Sequence, residues 1–209
     1  MRKSTLFVAF MTTFLFSFAA KADTDVSIEP EVAITKEGSD PQIANALSRT
    51  FPKSPFGVYG YWRMREGWVE GYAGPTYSPR PWLTIGTGAG VEQTFGYANP
   101  QGRYNITFAM RAEEMFSSAE IGGSFEMNTA TLRHGDMSGM WYDVYATVTI
   151  AQTITWGARG RRFLGFGPLL QWNVHEMHTK IWGMLGVVDP EQYRDPFTFT
   201  GLTGLTFDL

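Results

Sequence analysis

The chain has no cysteine, so disulfides, thiolate metal sites and a lipidated N-terminal cysteine are all excluded. Charge is also scarce, at 18% of residues, and only three histidines are present. After the first 20 residues no apolar run approaches the 18 or more residues that a membrane-spanning helix needs. No basic stripe suggests nucleic acid. What is abundant is glycine, with 23 residues, and aromatic side chains, at 15%. With 209 residues, one sizeable domain is the natural expectation.

The N-terminus carries an address. Arg2 and Lys3 precede an apolar run from Leu6 to Phe18, and Ala20-Lys21-Ala22 is a small-x-small cleavage site. A Sec-type signal peptide over residues 1–22 is therefore expected. Removing Arg2, Lys3 and Lys21 from 17 basic residues leaves 14 against 20 acidic ones, a net charge of −6.

Residues 23–55 are polar and proline-bearing, and they read as a periplasmic lead-in. Within it, Ile43, Ala46 and Leu47 have helical spacing behind Pro41, which admits a short helix over 42–48; the other reading is plain linker.

From residue 56 to 209 the governing pattern is alternation, which places successive side chains on opposite faces of a strand. The longest example runs from Trp141 to Trp156. Tyr142, Val148, Ile150 and Trp156 share its apolar parity, and Asp143, Thr147, Thr149 and Thr155 its polar one. Taken as one strand tilted by about 40°, it covers about 35 Å of membrane normal, enough for hydrocarbon plus part of each interface. Gln152 alone falls on the wrong face and calls for a bulge or a neighbour's hydrogen bond.

Shorter alternating stretches occupy 57–65, 68–77, 82–93, 103–113, 116–128, 163–175 and 178–188. Ser78-Pro79-Arg80-Pro81, Asn99-Pro100-Gln101-Gly102 and 157–160 read as turns. Gly86, Gly88 and Gly90 lie on one parity, where small residues help a narrow barrel to curl. The fold expected is a closed antiparallel up-and-down transmembrane β-barrel of about eight strands, with ten as the alternative.

The last segment adds a family signal. Phe197, Phe199, Leu205, Phe207 and Leu209 share one parity. This resembles the C-terminal strand of bacterial outer-membrane barrels, although that pattern ends in Phe and this one in Leu209. The resemblance implies the outer membrane as location, its lipids as surroundings, and recognition by the barrel assembly machinery through residues Phe197 to Leu209.

In such a barrel the polar parity faces the lumen. The inward set is Arg63, Arg65, Glu70, Glu92, Arg103, Arg111, Glu113, Glu120, Glu126, Asp143, His175, Lys180 and Asp208. Both signs are present, so mutual neutralisation into an ionic plug is expected. Trp82, Tyr142, Val148, Ile150, Trp156, Trp172, Phe207 and Leu209 are assigned to the lipid face and its aromatic girdles.

Catalytic signals are weak. His134, Asp136 and Ser138 supply the residue types of a hydrolase triad within one loop, but crowding is not triad geometry. His175, Glu176 and His178 match no zinc spacing, and no metal or cofactor is called for. The leading reading is a structural or surface-interaction barrel. The alternatives are a lipid-modifying enzyme, a narrow pore, or a soluble lipocalin-like barrel with its faces inverted.

Overall fold

A computed structural model describes residues 24–96, 99–129, 140–188 and 198–208. Twelve antiparallel strands close into one barrel, each pairing with its sequence neighbour and the last with the first. They are β1 (Thr24–Thr35), β2 (Gly38–Thr50), β3 (Phe56–Arg65), β4 (Trp68–Arg80), β5 (Leu83–Thr94) and β6 (Gln101–Glu113). β7 (Ser117–Asn128), β8 (Met140–Ile150), β9 (Ile154–Arg161), β10 (Gly165–Val174), β11 (Thr179–Val188) and β12 (Thr198–Asp208) complete the circuit. The expectation of eight strands, or ten, is therefore too low.

The missing strands have two sources. The stretch expected to be a polar lead-in with a helix over 42–48 is the hairpin β1–β2. Val26, Ile28, Pro30, Val32 and Ile34 form the outward stripe of β1, and Pro30 conceals it in the sequence because proline reads as a breaker. The ladder to β12 keeps its register across it, from Ile28 opposite Phe207 to Glu31 opposite Gly204. A helix of so few residues has little stability of its own, whereas β2 is hydrogen-bonded on both sides, to β1 and β3.

The second source is the long stretch from Trp141 to Trp156, which is two strands rather than one. Ala151-Gln152-Thr153 reverses the chain, and Ile150 lies directly opposite Ile154. A three-residue connection preserves parity, so Ile150 and Ile154 stay on one face and the alternation runs through the turn undisturbed. Gln152, the residue that fitted no face, occupies the turn with φ 58°. Similarly, 157–160 is not a turn but the body of β9, and β4 continues through Ser78 and Pro79 to Arg80, absorbing a register shift there.

The two faces are sharply different. Outward lie Ile106, Leu170, Leu185 and Phe199, between 56% and 74% exposed. Inward lie Glu31, Arg63, Glu70 and Glu126, at 1–2%. Such a surface is solvated by hydrocarbon, and the inverted, lipocalin-like arrangement is excluded. Among the described residues no helix is long and apolar enough to cross a membrane; the strands do so.

Connectivity defines two ends. Thr24, Asp208 and the short turns at 51–55, 81–82, 114–116, 151–153 and 175–178 share the terminus end; the turns at 36–37, 66–67 and 162–164 belong to the far end. Near the far end, Tyr142 stacks on Phe166 with ring centroids 5.8 Å apart. Trp82, Trp156, Trp172 and Phe207 belong to the terminus end, so aromatic residues flank the apolar band at both ends. Leu209, residues 1–22 and Phe197 lie outside the described residues.

Candidate functional site: a partition across the lumen

An eight-stranded barrel is filled by its own side chains, but twelve strands enclose a wider bore that must be filled, hydrated or open. Here β3 to β7 contribute one charged cluster. Arg63 and Glu70 face each other across the β3–β4 ladder, and Arg63 Nη2 donates to Glu70 Oε1 at 2.5 Å. Glu70 is also directly opposite Glu92, an unfavourable like-charge pairing.

Arg103 offsets this repulsion. Its Nε lies 3.0 Å from Glu70 Oε2, while Nη1 and Nη2 donate at 2.7 Å to Glu92 Oε2 and Glu126 Oε2. One planar guanidinium serves three carboxylates here from three separate nitrogens, a spread that the single nitrogen of an ammonium lacks. Asn128 Nδ2 and the Tyr72 hydroxyl donate to the remaining oxygens of Glu92 and Glu126, at 3.0 and 3.1 Å.

The second cluster joins β8 and β9 to β1. Arg159 grips Asp143 bidentately at 2.8 and 2.7 Å. Arg161 Nε donates to the same carboxylate at 2.7 Å, and its Nη1 reaches Glu31 Oε2 at 2.8 Å. Since β10, β11 and β12 separate β9 from β1, this last bond crosses the lumen.

Trp141 links the clusters. Arg63 lies 4.2 Å from its ring centroid and Arg161 5.8 Å, so the indole of β8 contacts a guanidinium from β3 across the lumen, with four strands between them on one side and six on the other. Tyr59 adds a further span by donating to Asn105 Oδ1. On the opposite wall an apolar group stands inward: Ala33, Leu169, Trp182, Met184 and Leu202 are buried against one another, with Leu164 of the β9–β10 turn. Arg159 caps Trp182 at 4.9 Å from the ring.

Among the described residues, a cavity borders the partition on each side. One of about 180 Å³ lies toward the far end, beside Gln42, Arg65, Trp68 and Asn128. One of about 540 Å³ lies toward the terminus end, bordered by Glu29, Arg111, Glu120, Thr149, Gln171 and Lys180.

Of the residues assigned inward from the sequence, Arg63, Glu70, Glu92, Arg103, Glu126 and Asp143 come together in the partition. Arg65 pairs with Asp40 at 2.8 Å beyond it. Arg111 holds Glu120 at 2.7 Å and stands 3.6 Å from Glu113, and Lys180 pairs with Asp208 at 2.8 Å, all toward the terminus end. His175 does not line a strand; it sits in the 3₁₀ turn His175–Met177 at the rim. His134, Asp136 and Ser138 lie outside the described residues. Among the described residues no group of three His, Asp or Glu side chains could hold a metal ion.

Sequence reading missed Glu29, Glu31, Arg159, Arg161 and Trp141. The first two fell in the supposed lead-in, Arg159 in a supposed turn, and Arg161 between that turn and the next alternating stretch. Their parity was visible nonetheless, since Arg159 and Arg161 alternate with Ala158 and Gly160.

Comparison with solved structures agrees with this architecture. A KdgM porin in complex with disordered oligogalacturonate superposes with a TM-score of 0.52 at 12% identity, covering 88% of this chain and 99% of that one. A NanC porin gives 0.51 at 12% identity, over 89% and 100%. The fold is that of small outer-membrane porins. No protein-family model and no curated protein matches the sequence. The barrel is an integral membrane protein in contact with membrane lipid, and its interior is polar and charge-paired.

Proposed function

We propose that this protein is an outer-membrane barrel of porin fold whose bore is held shut by the partition, acting as a structural or surface-interaction protein rather than as an open diffusion channel. The observation that carries this reading is the pair of contacts spanning the lumen, Arg161 to Glu31 and Arg63 to Trp141. Strand number no longer argues against conduction, since twelve strands leave room for a channel. The argument rests instead on buried side chains in mid-lumen.

The two longest stretches of chain between consecutive strands, β7 to β8 and β11 to β12, join strand ends at the far end, which favours the cell exterior there and the periplasm for the terminus end. The final strand, β12, is the segment offered to the assembly machinery. The oligogalacturonate of the KdgM complex is a polyanion. Passage of such a ligand is not favoured here, because Arg63, Arg65, Arg103, Arg111, Arg159 and Arg161 each have a carboxylate partner of their own.

Planar-bilayer recording tests the reading. Wild type should pass little current, and Arg63→Ala with Trp141→Ala should open steps of higher conductance. Large, stable wild-type steps that the double variant leaves unchanged would mean that the bore is open and the partition incidental.

A further inference from the structure

The cavity of about 540 Å³ between the partition and the terminus end has a lining that the closure of the bore does not explain. Its volume is within the roughly 300–1,000 Å³ typical of sites for small organic ligands, and barrel mouths are a common place for them. Along one wall, β7 to β10 present Ser118, Thr147, Thr149, Thr155, Gln171 and Asn173, which are all uncharged.

Two of these groups retain bonding capacity. Gln171 Nε2 donates to Asn173 Oδ1 at 2.7 Å, and Asn173 Nδ2 donates to the Gln152 carbonyl at 2.9 Å. A carboxamide has two donor hydrogens and an acceptor oxygen, so each side chain keeps a hydrogen, and Gln171 its carbonyl oxygen, beyond these bonds. Thr149 and Thr155 share one hydrogen at 2.7 Å, which leaves acceptor lone pairs. At the inner end the surface turns apolar with Leu169 and Trp182.

The cations around this wall are already matched. Arg111 donates to Glu120 through Nε and Nη2 at 2.9 and 2.7 Å, Lys180 pairs with Asp208 at 2.8 Å, and Arg159 holds Asp143 through Nε and Nη2. Glu29 accepts from the Thr206 hydroxyl at 2.9 Å. An anionic ligand would meet cations whose charge a carboxylate already balances, and would be repelled by those carboxylates. Hydroxyls and carboxamides opposite an apolar inner surface instead suit a molecule with many hydroxyls, no charge and carbon-bound faces.

We infer that this chamber is a binding site for a short uncharged oligosaccharide, entered from the terminus end. The inference does not depend on whether the bore conducts, because the chamber lies wholly on one side of the partition.

Titration calorimetry of the folded barrel in a detergent without a sugar headgroup tests it. The probes are three neutral trisaccharides, maltotriose, cellotriose and N,N′,N″-triacetylchitotriose, with trigalacturonate and trilysine as charged controls. At least one neutral probe should bind saturably and more tightly than both controls. Gln171→Ala with Asn173→Ala should weaken that binding by about tenfold or more, since two neutral hydrogen-bonding groups are lost. Asp40→Asn, beyond the partition, should leave it unchanged.

Gel mobility with and without boiling reports whether each variant is folded. Should the carboxamide variant fail to fold, Thr147→Val with Thr149→Val, close in shape, has the same expected loss. Absence of binding by all three neutral sugars would overturn the site, as would tighter binding of trigalacturonate or wild-type affinity in a folded wall variant. Conductance is not the readout, so failure here is separate from failure of the closed-bore reading.

Discussion

Replacing Arg161 by Met probes the partition most directly. The substitution removes one of three cation donors to Asp143, which keeps its bidentate bond to Arg159. For Glu31 the loss is larger. Its side chain is 0% exposed, and among the described residues its ion-pair partner is Arg161 alone and its other oxygen, Oε1, has no hydrogen-bond partner.

Breaking a buried pair on one side costs about 3–5 kcal/mol because the remaining charge is uncompensated. Water can reach parts of this lumen, so about 3 kcal/mol is the expected figure, or about a hundredfold in the folding equilibrium. The double variant Arg161→Met with Glu31→Leu removes both charges and should recover most of this, giving a coupling of about 2 kcal/mol or more in a double-mutant cycle. Urea titration of the barrel in lipid vesicles, followed by tryptophan fluorescence and gel mobility, measures all four species. If each single variant costs less than about 1 kcal/mol and the coupling is near zero, Glu31 is hydrated in an open lumen and the partition is not a structural unit.

Other expectations follow from the two faces and the turns. Leu170→Arg, at an outward position near the middle of β10, should destabilise insertion by about 2–4 kcal/mol, whereas Ser48→Arg, inward and exposed on β2, should cost far less; folding yield into vesicles separates them. Gly88→Val would push a side chain against the Tyr59 hydroxyl, 2.6 Å from the Cβ position, and the Ala73 carbonyl at 3.1 Å; a loss of about 1–3 kcal/mol is expected in the urea titration. Ala151 and Gln152 both have positive φ, at 49° and 58°, so Ala151→Asn with Gln152→Gly should stabilise the β8–β9 hairpin by about 1 kcal/mol, seen as a higher urea midpoint at unchanged slope.

The interior glycines illustrate how far a pattern can be read. Gly86, Gly88 and Gly90 were legible as a strip of small residues on the lumen side of one strand. Their immediate reason involves a different strand, because the Tyr59 ring of β3 lies over Gly86 and Gly88 on its way to Asn105. Tyr145 covers Gly122, its direct partner on β7, in the same manner and donates to Glu120. Both contacts depend on register, which alternation alone leaves open.

Parity along each strand was decided by the sequence itself, because side chains that alternate every second residue report which face meets hydrocarbon wherever the strand pairs. That is why Arg63, Glu92, Arg103 and Glu126 could be assigned inward with no knowledge of their partners. Strand number was decided only by tertiary pairing: a three-residue turn leaves parity unbroken, and β1 gains its stability from β2 and β12 rather than from its own propensity. The partition belongs to the same level, since Glu31 and Arg161 are 130 positions apart and meet only because the sheet closes.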